Sequence, residues 1–184
     1  MDRYLRIHPA GHYLNCMDPG GQTGLALHHV LEDRLDFIGH ATVSWEPRKG
    51  SSPVDTLRKW RHQYPGVHYL LYEDFHIRNI KNPAAIDPTA LLVIGAVEQM
   101  MYDQPDMYAG VFEQEPLEGK HMGTDEALEA LGLHLGHEHA QRHVRDANRH
   151  AVTRLADSGY LPVCRIAYPP HSVRTRSRLP GSPR

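Results

Sequence analysis

The stretch from Val67 to Asp74 constrains the fold more than any other part of this chain. Val67-His68-Tyr69-Leu70-Leu71-Tyr72 is a nearly continuous apolar run that stops at the acidic pair Glu73-Asp74. Such a run marks a central parallel strand covered on both faces. Parallel strands need crossover connections, usually helices, and the flanking sequence has them. Upstream, Ser52-Pro53 reads as an N-cap with proline at the first helical position. Val54, Leu57, Trp60 and Arg61 continue at helical spacing to Tyr64, and Pro65-Gly66 ends the helix. Downstream, Asp87-Pro88-Thr89 opens a second helix lined by Leu91, Leu92, Ile94, Gly95, Val97 and Met101.

The N-terminal part has a different rhythm. His12 to Met17, Gly24 to Leu31 and Leu35 to Trp45 read as three strands with short polar or glycine-rich connections, an antiparallel meander. Tyr108 to Phe112 reads as a fifth strand. Thr124 caps a helix running to about Leu133, and a last helix covers Glu138 to Asp157 before Ser158-Gly159. The order βββ-α-β-α-β-α-α predicts an α/β fold, a mixed five-stranded sheet with three antiparallel strands, then parallel ones, flanked by helices.

A chain of 184 residues, 40% of them hydrophobic, suits one well-packed domain. Its mean hydropathy is −0.53, and no apolar run approaches the roughly 18 to 20 residues that span a bilayer. Met1-Asp2-Arg3-Tyr4-Leu5-Arg6 lacks the apolar stretch of a signal peptide, so a cytoplasmic protein without a membrane partner is expected. Cys16 and Cys164 belong to no CxxC pair, which argues against a disulfide scaffold or a cysteine zinc site and predicts two buried thiols. The net charge of −2 does not mark a nucleic-acid binder. Its distribution is more informative, because no acid follows Asp157 while Arg165, Arg174, Arg176, Arg178 and Arg184 do. The expected division is a folded domain over residues 1–163 and a basic, Pro/Ser-rich, unfolded tail over 164–184. The tail reads equally as an arm for phosphates or as a solubilising extension.

The chemistry-bearing residues fall at element ends. Asp18 ends the first strand and Glu73 the fourth. A first strand and a later parallel strand can be neighbours, and acids at their carboxyl ends then converge on one crevice. Asp74 adjoins Glu73 but faces the other side of the strand. Asp146 lies in the last helix, three residues from His143 and four from His150, so these share a face. Clustered carboxylates repel unless a hard divalent cation lies between them. Mg²⁺ and Mn²⁺ favour such oxygen-rich sites, and two ions about 4 Å apart activate a water and stabilise the leaving oxygen of a phosphodiester. Each residue also has a plain alternative. Asp before Pro-Gly is common in turns, Glu73 can face solvent, and Asp146 can pair with Arg142 or Arg149 on the helix surface.

Taken together, Asp18-Pro19-Gly20-Gly21-Gln22-Thr23-Gly24-Leu25-Ala26, Tyr69-Leu70-Leu71-Tyr72-Glu73-Asp74-Phe75 and His143-Val144-Arg145-Asp146-Ala147-Asn148-Arg149-His150-Ala151 resemble the three acidic motifs of the RuvC-type Holliday-junction resolvases. That family belongs to the RNase H-like superfamily. The resemblance spans roughly residues 11 to 160 and is closest to the compact versions carried by bacteriophages of actinobacteria. It implies that Asp18, Glu73 and Asp146 hold two Mg²⁺ ions, for which Mn²⁺ can substitute. His143 falls where the family has Asp or His. The resemblance further implies a homodimer that makes paired nicks in a four-way DNA junction. Lys120 is a candidate for holding a phosphate. His150 is extra to the cellular enzymes and is a candidate ligand, proton carrier or packed residue. The apolar helix from Thr89 to Met101 is a candidate dimer interface.

Other readings compete. The Asp18–Gly24 turn also resembles the phosphate loop of sugar kinases and actin-like ATPases, but those duplicate their core and this chain has no second copy. Fifteen histidines, five of them between His134 and His150, invite a transition-metal site. Only His139 and His143 form a well-placed pair there, and the next position on that face is Ala147. A non-enzymatic binding module gains nothing from carboxylates facing phosphates. Another RNase H-like nuclease, acting on RNA–DNA hybrids or replication intermediates, remains the main alternative.

Overall fold

The computed structural model describes residues 11–46, 52–75, 88–136 and 138–167. β1 (His12–Asp18) and β4 (His68–Glu73), the two strands that end in acids, pair in parallel with Tyr13 opposite His68 and Met17 opposite Tyr72. β2 (Gln22–Val30) folds back antiparallel on β1, and β3 (Leu35–Ser44) antiparallel on β2. β5 (Gly110–Gln114) adds in parallel outside β4, giving the sheet order β3-β2-β1-β4-β5. The mixed five-stranded sheet expected from the sequence is present.

Strand alternation sorts the core into two layers. Leu14, Cys16, Ala26, Val30 and Leu71 point to one face, where α5 (His139–Asp157) covers them with Val144, Ala147, Ala151, Val152 and Leu155. Met17, Leu25, Leu27, Leu70 and Tyr72 point to the other, covered by α1 (Pro53–Gln63) and α2 (Thr89–Asp103). Asp18 and Glu73 follow the parity of Cys16 and Leu71 and therefore lie on the α5 face. Ser52 caps α1 as expected, its side chain accepting from Val54 N at 3.2 Å, with Pro53 at the start. Tyr160 staples the end of α5 to the β2–β3 turn, its hydroxyl donating to the carbonyl of Leu31 at 2.6 Å.

Three expectations shift. β5 runs from Gly110 to Gln114 rather than from Tyr108 to Phe112; Met107 and Tyr108 are buried, but as the lead-in to the strand. Their apolar character marks burial, and the ladder continues through the polar pair Glu113-Gln114, which an apolar pattern does not reveal. α3 (Pro116–Met122) occupies the segment read as a connection before Lys120. Glu118 accepts from the backbone N–H of Glu115 at 3.1 Å and Pro116 stands at the first turn, a helix start written in polar residues. α4 (Asp125–Ala130), capped by Thr124, follows it. Finally, α6 (Leu161–Ala167) crosses the expected boundary at residue 163 with Val163 buried, so regular structure continues four residues further. The tail beyond 167 lies outside the described residues.

Of the two thiols, Cys16 is fully buried, and burial pushes it far above the usual thiol range; Cys164 is only partly buried. Among the described residues no helix is long and apolar enough to cross a membrane.

His28 of β2 is completely buried under α5, and neither ring nitrogen has a hydrogen-bond partner at normal distance, although the Asn148 side chain lies beside it. Burial lowers its pKa to about 4, against a smaller opposing effect of Asn148. The fold therefore holds a neutral imidazole. Between pH 6.5 and 4 the unfolded chain binds a proton at this site that the folded chain refuses, so stability falls as pH drops through that window. The loss amounts to about 3 kcal/mol at most, by the free energy of a pKa displacement. Urea unfolding at pH 7 and pH 4.5 should show that His28→Leu flattens this dependence relative to the wild type. An equal pH dependence in both proteins would contradict it. Asp18, whose pKa burial raises, acts in the opposite direction in both proteins and cancels from the comparison.

Candidate active site

The site is built where β1 and β4 end side by side. Asp18 and Glu73 lie one residue beyond the paired Met17 and Tyr72. The chain leaves β1 through Pro19-Gly20-Gly21, and the buried Thr23 closes that turn, its hydroxyl donating to the Gly20 carbonyl at 3.0 Å. Asp18 pairs in register with Gly24 of β2. A Cβ on Gly24 would overlap the backbone of His143 and Val144, so this glycine lets α5 lie directly on the sheet beside Asp18.

α5 then supplies the remaining groups. His143 Nδ1 lies 2.7 Å from Asp18 Oδ2. His150 Nε2 lies 2.8 Å from Glu73 Oε2, and its Nδ1 lies 2.9 Å from Gln114 Oε1. Asp146 reaches the same neighbourhood, since its charge acts on both Asp18 and His143. Its carboxylate is held by Arg149, which also bridges to Asp125 at the start of α4, and Arg142 approaches it at 4.0 Å. Asp74 belongs to the other face of β4, where its charge bears on Tyr72.

The electrostatics follow from this crowding. Burial raises the pKa of Asp18, and the charges of Glu73 and Asp146 raise it further, while the hydrogen bond and charge of His143 oppose them. His143 is raised in turn, first by its hydrogen bond to Asp18 and then by the charges of Asp18 and Asp146, against its own partial burial and Arg142. Burial is the largest cause and the two neighbouring carboxylates add to it; negative charge gathered in this way is what a divalent cation neutralises.

In kind, three carboxylates and an imidazole fit a hard divalent ion. In position, no three His, Cys, Asp or Glu side chains among the described residues stand within joint ligating reach. The arrangement is two carboxylate–histidine pairs at adjacent strand ends, with the third acid held by arginine. Of the other residues singled out from the sequence, Lys120 sits in α3 with its side chain outside the described set. The same holds for the His139 side chain.

The chain matches no protein-family model and no curated protein sequence. Among solved structures it is similar to the Thermus thermophilus RuvC structure, at 18% identity and a TM-score of 0.55, over 80% of this chain and 97% of that one. It is likewise similar to T. thermophilus RuvC in complex with a Holliday junction substrate, at 18% identity and a TM-score of 0.56, over the same shares. The fold is RuvC-like. Within this RuvC-like fold, Asp18, Glu73, His143, Asp146 and His150 come together on one side of the sheet. Pattern reading did not single out Gln114, Gly119 and the Arg149–Asp125 bridge. The first lies just past the expected end of β5, the second in the unrecognised α3, and the bridge joins helices whose proximity is not written locally.

Proposed function

We propose that this chain is a divalent-metal-dependent endonuclease that cuts branched DNA, with a four-way junction as its preferred substrate. The observation that carries the reading is the placement of Asp18 and Glu73 at the ends of neighbouring parallel strands under His143 and Asp146, on a RuvC-like fold. The solved RuvC complex with a Holliday junction substrate makes branched DNA the first substrate to consider.

In this reading Asp18, Glu73 and Asp146, with His143, would hold the metal, and Mg²⁺ is the expected ion, with Mn²⁺ as a substitute. Divalent ions bound there supply activation of a water and neutralisation of charge at the leaving oxygen. The protein's own contribution is placement. β1 and β4 fix two carboxylates on rigid strand ends, and His143, hydrogen-bonded through Nδ1 to Asp18, keeps that carboxylate oriented. Two copies of the chain acting together would make paired nicks across a junction.

The test uses synthetic four-way junction, fork, plain duplex and RNA–DNA hybrid substrates with Mg²⁺, Mn²⁺ or EDTA. Cutting of the junction with either metal, none with EDTA, and little cutting of duplex is expected. Preference for the hybrid would assign the chain to a different nuclease activity, and equal cutting of plain duplex would remove the junction preference.

A further inference from the structure

His150 stands apart from the other site residues because it is almost completely buried, at 2% side-chain exposure, yet both of its ring nitrogens have partners. Nε2 meets Glu73 Oε2 at 2.8 Å. A carboxylate can only accept, so the ring donates there. Nδ1 meets the side-chain amide of Gln114 at 2.9 Å, where the amide, turned to present its NH2, donates to the ring. Gln114 is itself buried and stands directly opposite Glu73 in the β4–β5 ladder, where Asp74 N donates to its backbone carbonyl at 2.9 Å. The far side of the ring is closed by α3. A Cβ on Gly119 would come within 2.7 to 2.9 Å of three atoms of the imidazole, so only glycine permits this approach. α3 is tied down in turn by Thr153 of α5, whose hydroxyl donates to the Gly119 carbonyl at 3.2 Å and accepts from Gly123 N at 3.1 Å.

We infer that His150 is a positioning residue, which orients the Glu73 carboxylate from the buried side of the site and is itself locked in place by Gln114 and α3. The inference rests on the reading that Glu73 holds a divalent ion. The hydrogen bond occupies Oε2, while Oε1 has no hydrogen bond among the described residues and is left for the ion. A carboxylate fixed by one oxygen loses less rotational freedom on binding a cation with the other. Partners of this kind, which touch a ligating group and not the metal, change metal affinity by about 10- to 100-fold when removed.

Calorimetric titration of the full chain with Mn²⁺, without DNA, reads this directly, and circular dichroism confirms folding of each variant. His150→Leu removes both hydrogen bonds and should weaken Mn²⁺ binding by about 10- to 100-fold. His150→Gln carries an amide nitrogen where Nε2 lies and should bind within a few-fold of the wild type. His150→Asn is equally polar but reaches only the Nδ1 position, beside Gln114, and should be as weak as the leucine variant. A purely structural polar role would be met equally by Gln and Asn, so equal affinities for these two would overturn the inference even if the leucine variant failed to fold. Glu73→Gln separates the two levels of the reading. If it binds Mn²⁺ as the wild type does, Glu73 is not a ligand and the site assignment fails. If it loses the ion while His150→Leu and His150→Asn keep it, the positioning role alone fails.

Discussion

Asp18→Asn and Glu73→Gln are each expected to lower the rate of four-way-junction cleavage by about a thousandfold or more, while junction binding is retained. The magnitude follows from the charge stabilisation that a bound divalent ion contributes in a phosphodiester transition state, which is several kcal/mol at about 1.4 kcal/mol per tenfold. Both substitutions keep side-chain volume and remove one negative charge. The accompanying stability change separates this from misfolding. Burial, and after it the charges of Glu73 and Asp146, raise the Asp18 carboxyl against the opposing hydrogen bond and charge of His143, so ionising it costs more in the folded protein than in the unfolded chain. Asparagine removes that cost. Asp18→Asn should therefore melt at or above the wild-type temperature while losing activity, the behaviour of a site that trades stability for function. A variant that melts lower in proportion to its loss of activity would make Asp18 a structural residue, and undiminished cleavage by either variant would sink the site assignment.

The second large effect is expected at Gly24. Gly24→Ala adds a single methyl group, but in a place where it would overlap the backbone of His143 and Val144. A flexible side chain can swing away from such a contact; a helix backbone moves only as a unit. α5 is packed along its length through Val144, Ala147, Ala151, Val152 and Leu155, all fully buried, so the strain is shared with the core. Overpacking of this kind costs about 1 to 3 kcal/mol and more when the backbone resists. For a domain of this size each kcal/mol is worth about 2 to 4 °C in melting temperature. Lifting α5 at His143 also lengthens the bond to Asp18, so activity should fall beyond what the lost stability explains. Melting curves and cleavage rates measured on Gly24→Ala and Gly39→Ala make the comparison. Gly39 lies on β3 with open space around it, and its alanine variant should stay close to wild type. Equal behaviour of the two variants would show that Gly24 does not set the distance between α5 and the sheet.

Gly24 also marks the boundary between what pattern reading captures and what it does not. The Asp18–Gly24 turn reads from sequence as a tight reversal, and the glycines as what a reversal needs. In the structure Gly20 and Gly21 belong to the turn, closed by Thr23, whereas Gly24 is already inside β2 and serves the approach of a helix more than a hundred residues away in the chain.

The strands and their order were legible because side-chain alternation and turn chemistry are local, set by the covalent geometry of a few consecutive residues. An apolar run from Val67 to Tyr72 implies a covered strand, and the acid after it falls at that strand's end whatever else the chain does. The helical spacing of His143, Asp146 and His150 follows in the same way from 3.6 residues per turn. Tertiary structure decided which groups then meet. His143 turns to Asp18 and His150 to Glu73; Asp146 is drawn to Arg149, which also holds Asp125, and Gln114 waits behind His150 at the end of a strand whose final residues are polar. These pairings depend on how closely α5 and α3 approach the sheet and each other. That distance is set by the absence of side chains at Gly24, Gly119 and Gly123 and by the small residues Ala147 and Ala151, features with no periodicity along the chain.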